Sequence, residues 1–248
     1  MLTAFLSAMI HLNEIRVDSL PPFTDIEYVE LSGDPGASLS GLSVACVDQD
    51  GVLTGFVPLS GSIDPDGFSV VSGSVSMPNV DLISDLGLPD SKNLTVFLLV
   101  DTPYMVPGNV VDNDHDGSLD VSWEIQDSLA IRWGEHGHVY SPNVIGDGNG
   151  IVIFGARKCP DSGDWSLLPS VFGYTVETPH AANPPCTGTI GCEGDIDGDG
   201  QVDATDLAFL LGSLGGSFPP ADLDHDGTVT QEDLAILLGS WGACNPTT

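Results

Sequence analysis

The sequence predicts a mainly β protein, a β-sandwich over residues 10–178 followed by a small α-helical module over 193–245. Three features carry this expectation. Short apolar runs alternate with Gly, Pro, Asp and Ser from residue 12 to 178, with no amphipathic helical stretch among them. The segment Thr178-Pro179-His180-Ala181-Ala182-Asn183-Pro184-Pro185 then breaks regular structure, because proline fixes φ and lacks a donor. Beyond it the chain repeats itself, each copy an acidic loop followed by an apolar helix.

The candidate strands are Ile26–Leu31, Leu42–Val47, Val52–Val57, Phe68–Val71, Leu94–Val100, Ser128–Trp133 and Ile151–Phe154. In Leu94–Val100 the apolar run is almost unbroken, as a strand buried on both faces requires, whereas Leu129, Ile131 and Trp133 share one face of a half-buried strand. Residues 179–192 read as a Pro-rich linker.

Composition bounds the partners. The 248 residues carry 5 Lys+Arg against 36 Asp+Glu, a formal charge of −31. Such a surface does not neutralise phosphates or anionic lipid, so nucleic acid is not an expected partner. With 41% hydrophobic residues the chain buries a core despite that charge. No membrane span is expected after the first few residues.

Residues 1–9 fit the remnant of a secretory signal; the alternative is a first β-strand running into Leu12-Asn13-Glu14-Ile15. The five cysteines (46, 159, 186, 192, 244) leave one thiol over after at most two bridges. Clustering toward the terminal module suits a disulfide in a secreted protein, either Cys192–Cys244 or Cys186–Cys244.

The duplication is explicit. Residues 195–215 and 222–242 match at 13 of 21 positions at a fixed offset of 27. Each copy opens Asp-x-Asp-x-Asp-Gly, which places oxygens at loop positions 1, 3 and 5 and a turn-forming glycine, Gly200 or Gly227, at position 6. Position 7 offers the carbonyl of Gln201 or Thr228, position 9 is Asp203 or Thr230, and position 12 is Asp206 or Asp233. Carboxylates packed this densely repel unless a hard divalent cation neutralises them, and oxygen-only ligands select Ca2+. Leu207, Leu210, Leu211 and Leu214, then Leu234, Leu237, Leu238 and Trp241, fall at helical spacing, and the two stripes are expected to pack on each other.

On these residues, 195–242 resemble a type I dockerin, a duplicated calcium-loop–helix module that binds a cohesin domain. In that family the loop ends in Asp, as at Asp206 and Asp233. The resemblance implies calcium ligands at Asp195, Asp197, Asp199, Gln201, Asp203 and Asp206, then at Asp222, Asp224, Asp226, Thr228, Thr230 and Asp233. Where cellulosomal dockerins often carry Ser-Thr, this chain has Ala204-Thr205 and Gln231-Glu232, so a cellulosomal cohesin does not follow. The resemblance covers about a fifth of the chain.

His11-Leu12-Asn13-Glu14-Ile15, Asp25–Leu31 and Leu39-Ser40-Gly41-Leu42 are similar, in that order, to the opening of lamin-tail-like domains. That resemblance implies an immunoglobulin-like β-sandwich in a secreted bacterial protein, of the planctomycete kind that pairs it with a dockerin. Its implied role is structural or adhesive.

A further acidic loop lies inside the sandwich region. Asp112, Asp114, Asp116 and Asp120 stand at positions 1, 3, 5 and 9, with Gly117 at 6 and Ser118 at 7. Position 12 is Trp123, so closure of a third calcium site would draw on Glu124. The alternative is an acidic solvent loop.

Catalytic motifs are absent from the sequence. His136 and His138 in Arg132–His138 lack a nearby third ligand. Cys159 beside Lys158 suits a bridge to Cys46, or a buried thiol, better than an activated nucleophile. The expectation is a secreted, extracellular or cell-surface, non-catalytic protein whose tail docks the sandwich onto a cohesin-like or cell-envelope partner. The alternative is a secreted hydrolase, or an accessory carbohydrate-binding protein, acting through sandwich loops.

Overall fold

Period-two runs of β-branched and aliphatic residues set the strands of the first region. This computed structural model describes residues 10–17, 27–73, 79–89, 92–134, 136–146, 155–160, 162–167, 170–171, 174–175, 178–183, 194–196, 201–216, 221–224 and 226–243. The expected segment 1–9 and the strand at 151–154 lie outside them. The described residues form two sizeable sheets and only two short helices, consistent with a β-sandwich. The chain divides into two compact units, Met1–Lys158 with Thr178–Ala181, and Cys159–Glu177 with Ala182–Thr248.

In the first unit, chain order gives β1 (His11–Arg16), β2 (Tyr28–Ser32), β3 (Leu42–Asp48), β4 (Leu53–Pro58), β5 (Phe68–Ser72), β6 (Leu82–Ile83), β7 (Leu94–Val100), β8 (Glu124–Ile131), β9 (Val144–Ile145) and β10 (Gly155–Lys158). One sheet runs β10-β1-β2-β5-β6 and the other β4-β3-β7-β8-β9. All pairings are antiparallel except β5 with β6 and β8 with β9.

β7 is buried on both faces, as its unbroken apolar run predicts. On one face Phe97 and Leu99 join Ala45, Val47, Leu53, Phe56 and Val111 in a core cluster. Val96 and Leu98, facing the other way by strand alternation, are equally buried. The cluster is covered by Met105, Leu119, Val121, Trp123 and Tyr140. Four of these come from the connection between β7 and β8, residues 101–123, which therefore acts as a lid on the sheet. Each large side chain buried there contributes about 1.5–3 kcal/mol.

β8 departs from expectation. It begins at Glu124, not Ser128, because Glu124 and Ile125 continue the ladder opposite Val100 and Leu99 without any apolar pattern. It ends at Ile131, not Trp133, because the buried Asn93 diverts the chain, its Oδ1 accepting from the amides of Trp133 (2.7 Å) and Gly134 (2.9 Å).

Cys46 is a free thiol buried in β3, so the bridge to Cys159 is not formed. Cys159 is disulfide-bonded. Neither state suits an activated nucleophile. The expected Cys192–Cys244 and Cys186–Cys244 pairings lie outside the described residues.

The second unit contains β11 (Trp165–Leu167), β12 (Ser170–Val171), β13 (Tyr174–Thr175), β14 (Gln201–Val202), α1 (Ala204–Ser213), α2 (Gln231–Gly239) and β15 (Gly242–Ala243). β12 and β13 form a hairpin. Ile196, Val202, Phe209, Leu210, Ala221, Val229 and Leu237 make the core, with Leu207, Leu223 and Leu234 packed against it.

The repeat persists in the backbone. Val202 pairs with Gly242 in the β14–β15 ladder, while Val229 exchanges hydrogen bonds with Gly215 and Gly216 (both 2.8 Å). Residues 202 and 229, and residues 215 and 242, each differ by the repeat offset of 27. Each loop is thus tied to the end of the other copy's helix. The leucine stripes are only half buried, contrary to expectation. Leu210 and Leu237 are buried, but Leu211, Leu214, Leu238 and Trp241 are 47–52% exposed, since two short helices bury one narrow seam.

Candidate metal centre

Both helices begin where an acidic loop ends, and the last acid of each loop is built into the helix start. Asp203 caps α1, accepting from the Thr205 amide (2.7 Å), and Asp206 reaches back to the Asp203 amide (2.7 Å). Thr230 caps α2 in the same way, and Asp233 takes the Thr230 amide (2.7 Å). These capping boxes satisfy helix amides that would otherwise lack partners.

The same two carboxylates also hold the start of their loops. Asp206 Oδ1 accepts from the Ile196 amide (2.6 Å), and Asp233 Oδ1 accepts from Leu223 (2.6 Å) and Asp224 (3.1 Å). Both side chains are fully buried. Burial opposes ionisation of Asp233, but its backbone donors outweigh that and hold the carboxyl below its ordinary range.

In the second loop, one oxygen each of Asp222, Asp224 and Asp233 lies within 4.8 Å of the others, close enough to hold a metal ion together. Two other expected ligands make hydrogen bonds within the loop. Asp226 Oδ1 accepts from the Thr228 amide (2.8 Å), and the Thr230 hydroxyl donates to Glu232 (2.7 Å). At Asp224 the Asp226 amide favours ionisation, yet local desolvation and the charges of Asp226, Asp233 and Asp222 push the carboxyl up. In the first loop, Asp197 and Asp199 lie outside the described residues. Asp195 stands next to Ile196, and Gln201 lies in β14.

The 112–120 loop in the first unit has a matching construction. Asp112, Asp114 and Asp120 bring an oxygen each within 4.8 Å of one another. Glu124, the expected closing ligand, stands exposed at the start of β8 and takes no part. Asp120, at position 9, joins the cluster instead, where the loop turns back early and the Asp120 N–H donates to the Val111 carbonyl (2.7 Å). Asp116 Oδ1 accepts from the Ser118 amide (2.8 Å). The Tyr140 hydroxyl donates to Asp112 Oδ2 (2.9 Å). Burial works against ionisation of Asp112, but Tyr140 and the amides of Gly117, Asp116 and His115 hold its carboxyl below the usual range.

No family model, curated protein or solved structure matches this chain. The chemistry therefore rests on the residues themselves.

One cluster escaped sequence reasoning. Asp64, Asp81 and His180 meet within 4.8 Å although His180 comes from the Pro-rich stretch. His180 Nδ1 lies 2.9 Å from Asp66, and Nε2 lies 2.6 Å from the Asn79 carbonyl. An acceptor beside each nitrogen favours the doubly protonated, cationic ring. Burial disfavours that charge, but Asp66, the Asn79 carbonyl and Asp81 outweigh it and raise the pKa. His180 thus clasps the Asp66 carboxylate and the Asn79 carbonyl. His136 and His138 join no such cluster among the described residues.

Beside the clasp, Glu14 and Glu30 stand opposite each other in the β1–β2 register, both fully buried. Glu30 accepts from Asn13 (2.7 Å) and the His180 amide (2.7 Å). Glu14 accepts from Tyr28 and from the Thr178 hydroxyl (2.8 Å). Desolvation, reinforced by the charge of Glu14, pushes Glu30 up to about 7.

Proposed function

We propose that this chain is a secreted, non-catalytic protein in which a dockerin-like tail binds Ca2+ and docks a lamin-tail-like, immunoglobulin-like sandwich onto a cohesin-like or cell-envelope partner. The observation that carries the reading is the placement of exposed apolar residues at repeat-related positions. Leu211 and Leu238, and Leu214 and Trp241, are each 27 residues apart, and all four remain outside the core that Leu210 and Leu237 complete. Large apolar side chains left uncovered on a small module favour a protein partner.

Calcium supplies the order. The acids at Asp195, Asp197, Asp199, Asp203 and Asp206, and at Asp222, Asp224, Asp226 and Asp233, repel one another until a hard cation shared among their oxygens converts repulsion into coordination. Metal binding and tail folding are then one equilibrium. The loop of Asp112, Asp114, Asp116, Ser118 and Asp120 takes a third ion and fastens the lid over the β3–β7 face.

Calorimetric titration of the chelator-stripped full chain tests this directly. Three calcium ions per chain are expected, with a gain of helical circular dichroism that follows the tail sites. Equal helicity in excess EDTA and in millimolar calcium would overturn the coupling. Capture of an envelope fraction in calcium, and its release by chelator, tests docking.

A further inference from the structure

The open end of the β7–β8 ladder forms a groove beside the 112–120 loop, whose acids do not line it. Val100 is the last residue of β7 and pairs with Glu124, so Asp101 and Trp123 leave the ladder side by side. A register shift between Leu98 and Leu99 precedes this point and re-aims the strand end. The resulting groove has a volume of about 390 Å³, within the range of ligand pockets. Trp123, Met105 and Pro103 supply apolar walls, and Asp101 and Glu124 supply carboxylates.

The walls are fixed. Trp123 stands edge-on to the buried Phe97, with ring centroids 5.5 Å apart, and remains half-buried. Asp101 is held with φ of 44°, its amide donating to the Gly41 carbonyl at 2.7 Å. A non-glycine residue in that region is sparsely populated and is retained against strain. Asp101 and Glu124 are exposed, and neither forms an ion pair among the described residues.

We propose that this groove seats a cationic side chain, lysine or arginine, presented by a partner polypeptide. Charge complementarity selects the occupant. Two unpaired carboxylates beside an indole offer a cation both ion pairing and the negative face of a ring. The net charge of −31 draws cations in and turns anions away. A neutral saccharide could stack on Trp123 but would leave both carboxylate charges unanswered.

The test uses the full chain in saturating calcium at near-physiological salt, with an acetylated trilysine amide as the probe. Binding is read from the Trp123 indole N–H resonance, assigned by its loss in Trp123→Phe. We expect a saturable shift that weakens about tenfold or more in the Asp101→Asn/Glu124→Gln double variant and less than about twofold in Asp34→Asn, an exposed control carboxylate. Equal weakening by Asp34→Asn would reduce the effect to bulk charge and overturn the proposal. So would an unmoved Trp123 signal, or a shift produced by a neutral oligosaccharide and not by trilysine. The variants replace exposed carboxylates by isosteric amides, so the fold is retained. Calcium counting is independent of this readout, so the docking reading and the groove can fail separately.

Discussion

Asp112 in the first unit and Asp222 in the second hold their loops by the same pair of backbone bonds. Oδ1 of each accepts from the amide four residues on, at 3.2 Å for Asp112 and 3.1 Å for Asp222. Oδ2 accepts from the glycine amide five residues on, at 3.1 and 2.8 Å. The flanking structure differs: a sheet lid in one case, a helix start in the other. The loop pattern is thus a local property of Asp-x-Asp-x-Asp-Gly, while the closing acid depends on the next element of the chain. A helix delivers Asp233 at position 12; without one, Asp120 arrives from position 9.

Asp233→Asn separates these two designs from each other. An amide replacing a buried carboxylate that takes three backbone donors sets an N–H against an N–H, a loss of about 1–3 kcal/mol. The calcium concentration giving half of the tail's helical signal is expected to rise about tenfold or more. Asp120→Asn, at an exposed carboxylate, should weaken the first-unit ion while leaving tail helicity unchanged. Circular dichroism and titration calorimetry on the full chain read the two effects.

Gly117→Ala tests the lid loop. Gly117 has φ of 86°, and an added Cβ would meet His138 Nδ1 at 2.7 Å. Strain and crowding together should cost about 1–3 kcal/mol in the first unit. The expected result is a lower thermal midpoint and weaker third-site calcium, with the tail transition unmoved.

Cys46 should resist alkylation in the native protein. It is fully buried, and desolvation raises its thiol pKa far above the ordinary value, so little thiolate forms. Thiol titration without reductant is expected to show no Cys46 labelling until denaturant is added. Rapid native labelling would contradict the packing of β3.

The exposed ends of α1 and α2 contribute little to folding. Leu238→Ser with Trp241→Ser should change stability by no more than about 0.5 kcal/mol, since both side chains are half exposed. The same pair should abolish calcium-dependent capture of the partner. A large fall in stability would return these residues to the core and remove the basis of the proposed docking.

What the sequence made legible was local. The strands at 42–47, 68–71 and 94–100 carry their own alternation or apolar run, and the tail was readable from its repeat. Asp-x-Asp-x-Asp-Gly located both described loops for the same reason. The unread features are long-range. Thr178, the expected end of the sandwich, and His180, expected in the linker, bond Glu14 and Glu30, 164 and 150 residues earlier. Nothing near Pro179 signals that contact. Which leucines stay exposed was equally unreadable, because spacing defines a stripe but not its width.

The Glu14–Glu30 pair is expected to make the first unit more stable in mild acid than at alkaline pH. Glu30 is raised from 4.5 to about 7, chiefly by desolvation; Asn13 and His180 favour its charged form, and Glu14, opposite it in the β1–β2 register, disfavours it. A carboxyl raised in the folded state binds its proton more tightly there than in the unfolded chain. Its contribution is therefore complete below about pH 4.5 and is lost as pH climbs through 7, to a limit of roughly 3 kcal/mol. Glu14, raised by burial, and His180, raised by its acidic partners, act in the same direction. Asp66, lowered in the folded state, contributes above its unfolded value of 3.8 and is unaffected in this window. Calorimetry in EDTA should show the first-unit midpoint rising between pH 8 and pH 5, and Glu30→Gln should flatten that slope. A midpoint that falls over the same interval would mean that the two buried glutamates are both ionised, against the desolvation argued here.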